Sequence, residues 1–177
     1  MSLRDRIEFF SITFMHDTLY SLFMNAEDLL IPAGLKKGQH VLEVGCGLGF
    51  FTIPAAKMVG EKGTIYAIDT NPFAIKRIKK KMQKKNISNI IPLQEDVRKT
   101  SLQKNSLDLM FFFGVIHHLM DFLDEVLEEM GRISKKNAII AIQKSRVNKD
   151  IIILAIEIHG AFSFIEESKR ILKFQKT

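Results

Sequence analysis

Short apolar runs bounded by turn-forming residues alternate with longer segments of helical spacing along most of the 177-residue chain. Val41-Leu42-Glu43-Val44 is a β-branched run closed by glycines, which predicts a strand. Thr64 to Ile68, Asn89 to Gln94, Leu107 to Phe113 and Asn137 to Ile142 predict four more. Phe50 to Val59 predicts a helix, with Pro54 tolerated near the first turn and Gly60 suited to the C-terminal cap. Asn71 followed by Pro72 is a helix start signal, and that helix should run to about Lys85. Asp121 to Met130 predicts another, with Asp121 as cap and Gly131 as stop. The isoleucines of Asp150 to His159 suit a strand, but a run of this length before Gly160, within the alternation, predicts a helix. Phe162 to Ile165 and Ile171 to Phe174 then form an antiparallel pair around Ser168-Lys169-Arg170.

Strand, helix, strand, helix implies parallel strands joined by crossovers. The expected fold is a doubly wound, Rossmann-like α/β sheet, mostly parallel, with a C-terminal antiparallel strand pair. Pro92 removes a ladder donor, so the third strand belongs at an edge. Leu107 to Phe113 is almost wholly apolar, as a strand covered on both faces should be. Upstream, Ile7 to Leu30 reads as one or two helices before Pro32, Gly34 and Gly38 break the pattern. The expected organisation is one domain over residues 1–177: an N-terminal helical segment, 1–34, and a core, 35–177.

Composition adds limits. Hydrophobic residues make up 46% and charged residues 26%, the balance of an ordinary globular domain. Cys46 is the only cysteine, so no disulfide forms within the chain and a reducing compartment fits. The first residues carry charges inside their apolar pattern, unlike a secretory signal. Ile151 to Ile158 is too short to span a bilayer and contains Glu157. A soluble, cytoplasmic protein without a membrane partner is expected. The net charge of +6 is concentrated in Lys76, Arg77, Lys79, Lys80, Lys81, Lys84 and Lys85. That cluster reads first as the solvated face of a helix with Phe73, Ala74, Ile78 and Met82 inward. Nucleic acid is the weaker reading, since no aromatic residues interleave as a stacking platform would need.

In an open parallel sheet, ligands bind outside the carboxyl ends of the strands. Those ends carry Gly45-Cys46-Gly47-Leu48-Gly49, then Asp69, then Glu95-Asp96-Val97, then Gly114-Val115-Ile116-His117-His118. A dinucleotide fingerprint would place a third glycine where Phe50 stands, which disfavours a nicotinamide oxidoreductase. The glycines instead recur at every second position, a loop that lets backbone approach a ligand closely.

VLEVGCGLGFFTIPAA resembles the first motif of class I S-adenosylmethionine-dependent methyltransferases, IYAIDTNP the second and LQEDV the third. LDLMFFFGVIHHLMD and LEEMGRISKKNAIIAIQ resemble the fourth strand with its loop, and the helix leading into strand 5. The resemblance covers roughly residues 35 to 145. It implies S-adenosylmethionine as cofactor and S-adenosylhomocysteine as product. Gly45, Gly47 and Gly49, with Cys46 a small filler between them, would make room for the methionine part, and Glu43 would orient the loop. Asp69 would accept hydrogen bonds from the ribose hydroxyls, and Asp96 from the adenine amino group, with Thr70 and Val97 against the ring. Phe113 and Gly114 would lie near the sulfonium.

Each role has a structural rival. Asp69 can cap the next helix, and Asp96 can form a turn. His117 and His118 are the catalytic candidates, as base or acceptor contact, against packing and backbone capping. They make no metal site, having no evident third ligand. The expected acceptor is a small molecule. RNA or protein methylation and a non-catalytic cofactor-binding module are the alternatives. The N-terminal segment is equally compatible with a lid bringing Tyr20 or His16 to the acceptor, with packing, and with a homodimer face.

Overall fold

The computed structural model describes residues 25–144 and 147–177, so the helices expected upstream of residue 25 lie outside the described residues. The elements are α1 (Glu27–Leu30), β1 (His40–Val44), α2 (Thr52–Val59), β2 (Thr64–Ile68), α3 (Pro72–Lys85), β3 (Ile90–Leu93), β4 (Leu107–Phe112), α4 (Leu123–Ile133), β5 (Ser134–Gln143), α5 (Lys149–His159), β6 (Phe162–Ser168) and β7 (Ile171–Lys176). Two short 3-10 turns, Ile116–His118 and Met120–Phe122, join β4 to α4.

The strands form one seven-stranded sheet in the order β3-β2-β1-β4-β5-β7-β6. β3, β2, β1, β4 and β5 pair in parallel, and β7 runs antiparallel to both β5 and β6. This is the expected doubly wound arrangement, with Pro92 on the edge strand β3.

Side-chain alternation divides the core in two. On one face Val41, Ile65, Leu109 and Phe111 pack with Ala55, Ala56 and Val59 of α2 and Ala74, Ile75 and Ile78 of α3. On the other, Leu42, Met110, Phe112 and Ile140 pack with Val126, Met130 and Ile133 of α4 and Ile152 and Ile156 of α5. β4 serves both, which is why its sequence is apolar at every position but Asp108.

The helix signals work as chemistry predicts at α3. The Asn71 side chain accepts the Phe73 amide at 2.9 Å, Pro72 opens the helix, and Asn86 closes it in the left-handed region with φ 53°. The Asp150 to His159 segment is helical. Asn148 caps it, accepting the Asp150 amide at 2.9 Å, and Gly160 ends it at φ 81°.

Two expectations are corrected. Asp121 does not cap α4 and Gly131 does not stop it. Asp121 lies in the second 3-10 turn, Phe122 takes the cap position without a side-chain bond, and the helix continues through Gly131 to Ile133. Continuation places Met130 and Ile133 in the core with no solvent exposure. Burying one such side chain is worth about 1.5–3 kcal/mol, which outweighs about 1 kcal/mol for an interior glycine. Lys176 then caps the helix end, donating to the carbonyls of Gly131 at 2.8 Å and Ser134 at 2.7 Å. The second correction is that β5 starts at Ser134 rather than Asn137. Its pairing with β4 slips from Leu107–Ser134 to Leu109–Ile139, so residues 135–138 bulge from the ladder.

Candidate active site

The sheet order reverses between β1 and β4, which places a crevice between the loops that follow those strands. Gly45, Gly47 and Gly49 hold φ of 71°, 49° and 81°, backbone that side chains resist. A Cβ on Gly45 would lie 2.5 Å from Cγ1 of Val115, and one on Gly49 would lie 2.4 Å from Cδ1 of Ile78. The glycines therefore let the loop nest between the β4 loop and α3.

Backbone bonds fasten this loop to the end of β2. The amides of Gly45 and Cys46 both donate to the Ile68 carbonyl, at 2.9 and 3.0 Å. The Gly47 amide donates to Oδ2 of Asp69 at 3.0 Å, and the Asn71 amide to Oδ1 at 2.8 Å. Burial raises the Asp69 carboxyl above its usual range, although these two amide bonds pull the other way. A carboxylate has about four acceptor sites, so Asp69 keeps capacity for further donors. Asn71, not Asp69, caps α3, while Asp69 braces the turn before that cap at the crevice.

Glu43 is 2% exposed on β1, beside Ala67 of β2 and Phe111 of β4. Cys46 is buried, and burial, then the charges of Glu43 and Asp69, push its thiol far above its usual range. A thiol so held is no nucleophile. Thr70 is exposed.

Asp96 stands in the loop after β3, where Arg98 engages both its oxygens: Nε lies 3.0 Å from Oδ1 and Nη2 lies 2.7 Å from Oδ2. The Arg98 amide adds a bond to Oδ1 at 2.9 Å. The Arg98 side-chain bond holds this carboxyl below its usual range. Arg98 also lies over the Phe122 ring, 4.8 Å from its centre. Val97 is buried against the second core.

The Phe113 ring points into the first core, edge-on to Phe51 at 4.9 Å and tilted on Phe111 at 4.7 Å. Gly114, at φ 72°, has nothing within 4 Å of where a Cβ would stand, so that position faces open space. His117 and His118 are both exposed on the 3-10 turn, with ring centres 3.9 Å apart.

The structure therefore brings together the glycine loop, Asp69, Gly114 and Val115. It turns the Phe113 ring inward and gives Asp96 a cation. Val115 and Arg98 were not foreseen from the sequence. Val115 is an ordinary apolar residue among more distinctive neighbours, whereas Arg98, two residues after Asp96, was a visible signal. For a sulfonium nucleoside the fit is good at two points. Asp69 has acceptor capacity for a sugar diol, and the space at Gly114 is open. At Asp96 the fit requires an adenine amino group to share the carboxylate with Arg98.

These features define a Rossmann-like fold with a crevice at the switch point. Residues 35–172 match the family described as a methyltransferase domain, and the chain belongs to the class I S-adenosylmethionine-dependent methyltransferases. A crystal structure of a SAM-dependent methyltransferase from Aquifex aeolicus superposes with a TM-score of 0.78 at 28% identity, over 94% of this chain and 96% of that one. The demethylmenaquinone methyltransferase of Geobacillus stearothermophilus is 26% identical over 113 residues, 64% of this chain and 48% of that protein. The ribosomal protein L11 methyltransferase of Thermosipho melanesiensis is 31% identical over 111 residues, 63% of this chain and 40% of that protein. The chain spans about half the length of the curated relatives it matches.

Proposed function

We propose that the chain is a single-domain enzyme that binds S-adenosylmethionine in this crevice and transfers its methyl group to a small acceptor. One observation carries the reading. The Gly47 amide meets the Asp69 carboxylate where the β1 loop reaches the end of β2, and the Gly114 position, after the neighbouring β4, faces open space. When bound, the cofactor supplies an electrophilic methyl group on a positively charged sulfur. The protein's part is to bind and align. Gly45, Cys46, Gly47 and Gly49 line the methionine end with backbone, over Glu43. Asp69 receives the ribose hydroxyls on its remaining acceptor sites. Thr70, Asp96 and Val97 border the adenine. Gly114 and the Phe113 backbone lie nearest the sulfur. His117 or His118 takes a proton where the acceptor must lose one.

A small acceptor is supported by the compact crossovers. Between β1 and β7 no added subdomain separates the described strands. Among the described residues no helix is long and apolar enough to cross a membrane. The lone, buried cysteine accords with a reducing, cytoplasmic setting.

Calorimetric titration with S-adenosylmethionine, S-adenosylhomocysteine and NAD tests the cofactor. Binding of the first two and not the third is expected, whereas tight binding of NAD alone would overturn the reading. Product binding with no transfer to any cell-extract component would make the chain a binding module instead.

A second reading, an RNA acceptor, is favoured by α3. Of its basic residues, Lys76, Arg77, Lys79, Lys80, Lys84 and Lys85 enter no ion pair among the described residues. A salt-sensitive RNA complex lost in a K79Q/K80Q variant would promote it.

A further inference from the structure

A second concavity lies at the opposite end of the sheet, where β1, β4 and β5 begin. It has a volume of about 380 Å³. β1 alone separates it from the glycine loop by about 16 Å, at about 3.3 Å per residue. Lysines from three segments line it: Lys36 before β1, Lys135 and Lys136 on the β5 bulge, and Lys173 on β7. Asp108 is the lining's one carboxylate, and it is already neutralised. Oδ2 accepts the His40 amide at 2.8 Å, and Oδ1 pairs with Lys135 at 2.7 Å. Lys173 pairs with Glu166, outside the lining. Lys36 and Lys136 enter no ion pair among the described residues.

Converging like charges on one hollow costs free energy in the folded chain. The backbone here is also built to converge them. Between their matched pairs β4 advances two residues and β5 five, so three extra residues leave the ladder. Asn137, within that bulge, holds φ 63°. Bulges re-aim side chains, and asparagine accommodates the left-handed turn that this one needs. The bulge is what puts Lys135 and Lys136 on the rim.

We propose that this hollow is an anion site for a small phosphorylated ligand, a phosphate monoester dianion, separate from the methyl-transfer crevice. The volume suits a ligand of that size. All the cations are lysines. Lysine ammonium groups bind phosphoryl groups as point charges, and a dianion can accept from more than one of them at once. The ligand's phosphoryl group would sit between Lys36 and Lys136, which enter no ion pair among the described residues.

Titration of the full chain with ribose 5-phosphate, inorganic phosphate and ribose tests this, calorimetrically and by thermal shift. The first two should bind and raise the melting temperature, and ribose should do neither. K36Q/K136Q should weaken ribose 5-phosphate binding about tenfold or more while leaving S-adenosylmethionine binding unchanged. Because those substitutions remove repulsion, the variant's melting temperature should be no lower than wild type. K79Q/K80Q on α3, with the same change in net charge, should leave ribose 5-phosphate binding intact. Three results would overturn the proposal: no phosphate-dependent signal in the wild type, equal loss in both double variants, or tighter binding of a short RNA than of ribose 5-phosphate.

Discussion

The carboxylate of Asp69 accepts the Gly47 amide across 3.0 Å, so the end of β2 is tied to the glycine loop after β1. Its other oxygen holds the Asn71 amide at 2.8 Å and sets the start of α3. Asp69→Asn preserves size but replaces one acceptor oxygen by a donor, which must then face an N–H. S-adenosylmethionine affinity should fall by about tenfold or more, measured by calorimetry. The pH dependence has a definite sign. Burial raises this carboxyl above 3.8, so the folded state binds its proton more tightly than the unfolded state. Stability from this group is therefore present at low pH and is lost as pH rises through the raised value. Urea titrations across that interval should show wild type losing stability relative to D69N as pH increases. Parallel curves would remove the assignment.

Glu129 performs a similar tie on the far side of the site. It is 8% exposed, and its carboxylate accepts the Thr100 amide at 2.8 Å, the Thr100 hydroxyl at 2.6 Å and two Arg132 nitrogens at 2.6 and 2.7 Å. These bonds pin the turn that carries Asp96 onto α4. Glu129→Ala leaves a buried amide and hydroxyl unmet and should cost about 2–3 kcal/mol in chemical denaturation. Burial alone would raise this carboxyl, but the Arg132 and Thr100 bonds together hold it below 4.5. Its stabilisation is thus present above 4.5 and lost as pH falls through the lowered value. The variant should lack that part of the acid-side decline.

Most of the sheet is legible in the sequence because most strands, though not β5, have clear boundaries. Pro92 marked the edge, Asn71-Pro72 marked a helix start, and the apolar run of β4 marked a doubly covered strand. The errors arose where tertiary burial outweighed local signals. Gly131 looks like a stop, yet Ile133 gains more by being buried in a continued helix. Asn137 looks like the opening of β5, yet the strand begins three residues earlier and bulges. At the site, the glycines, Asp69 and Gly114 were legible because their chemistry is distinctive. The inward turn of Phe113 was not, since a phenylalanine at a strand end gives no sign of which core will claim its ring. The Arg98 partner of Asp96 was readable in principle from their spacing.

Two glycines separate stability from binding. Gly49→Ala must displace Ile78, whose Cδ1 lies 2.4 Å from the new methyl, and must hold φ 81°. Backbone strain of about 1–2 kcal/mol adds to that displacement, so a loss above about 2 kcal/mol is expected in thermal or chemical unfolding. Gly114→Ala meets nothing within 4 Å and bears only the strain at φ 72°. Its methyl enters the proposed cofactor space, so affinity for S-adenosylmethionine should drop more than stability does. Unchanged affinity in G114A would place the cofactor elsewhere.

Cys46 is buried within the glycine loop, and burial with the neighbouring Glu43 and Asp69 charges keeps its thiol protonated. Thiolate is the reacting form, so a disulfide reagent at pH 8 should label the native chain far more slowly than the urea-unfolded chain. S-adenosylmethionine should slow native labelling further if it sits on this loop. Rapid labelling of the native protein would show the loop to be open.

Thr52, at the start of α2, has no solvent exposure, and its hydroxyl has no hydrogen-bond partner among the described residues. A buried hydroxyl left unmet costs about 1–3 kcal/mol, and valine keeps the branched shape without it. Thr52→Val should therefore stabilise the chain by about 1 kcal/mol, a rise of about 2–4 °C in melting temperature for a domain of this size. The hydroxyl lies 3.5 Å from where a Gly49 Cβ would stand, against the glycine loop. If T52V instead lowers both stability and S-adenosylmethionine affinity, the hydroxyl is held for the bound state, bonding the loop once the ligand has moved it. Calorimetry and thermal unfolding of the same variant, with and without S-adenosylmethionine, separate the two outcomes.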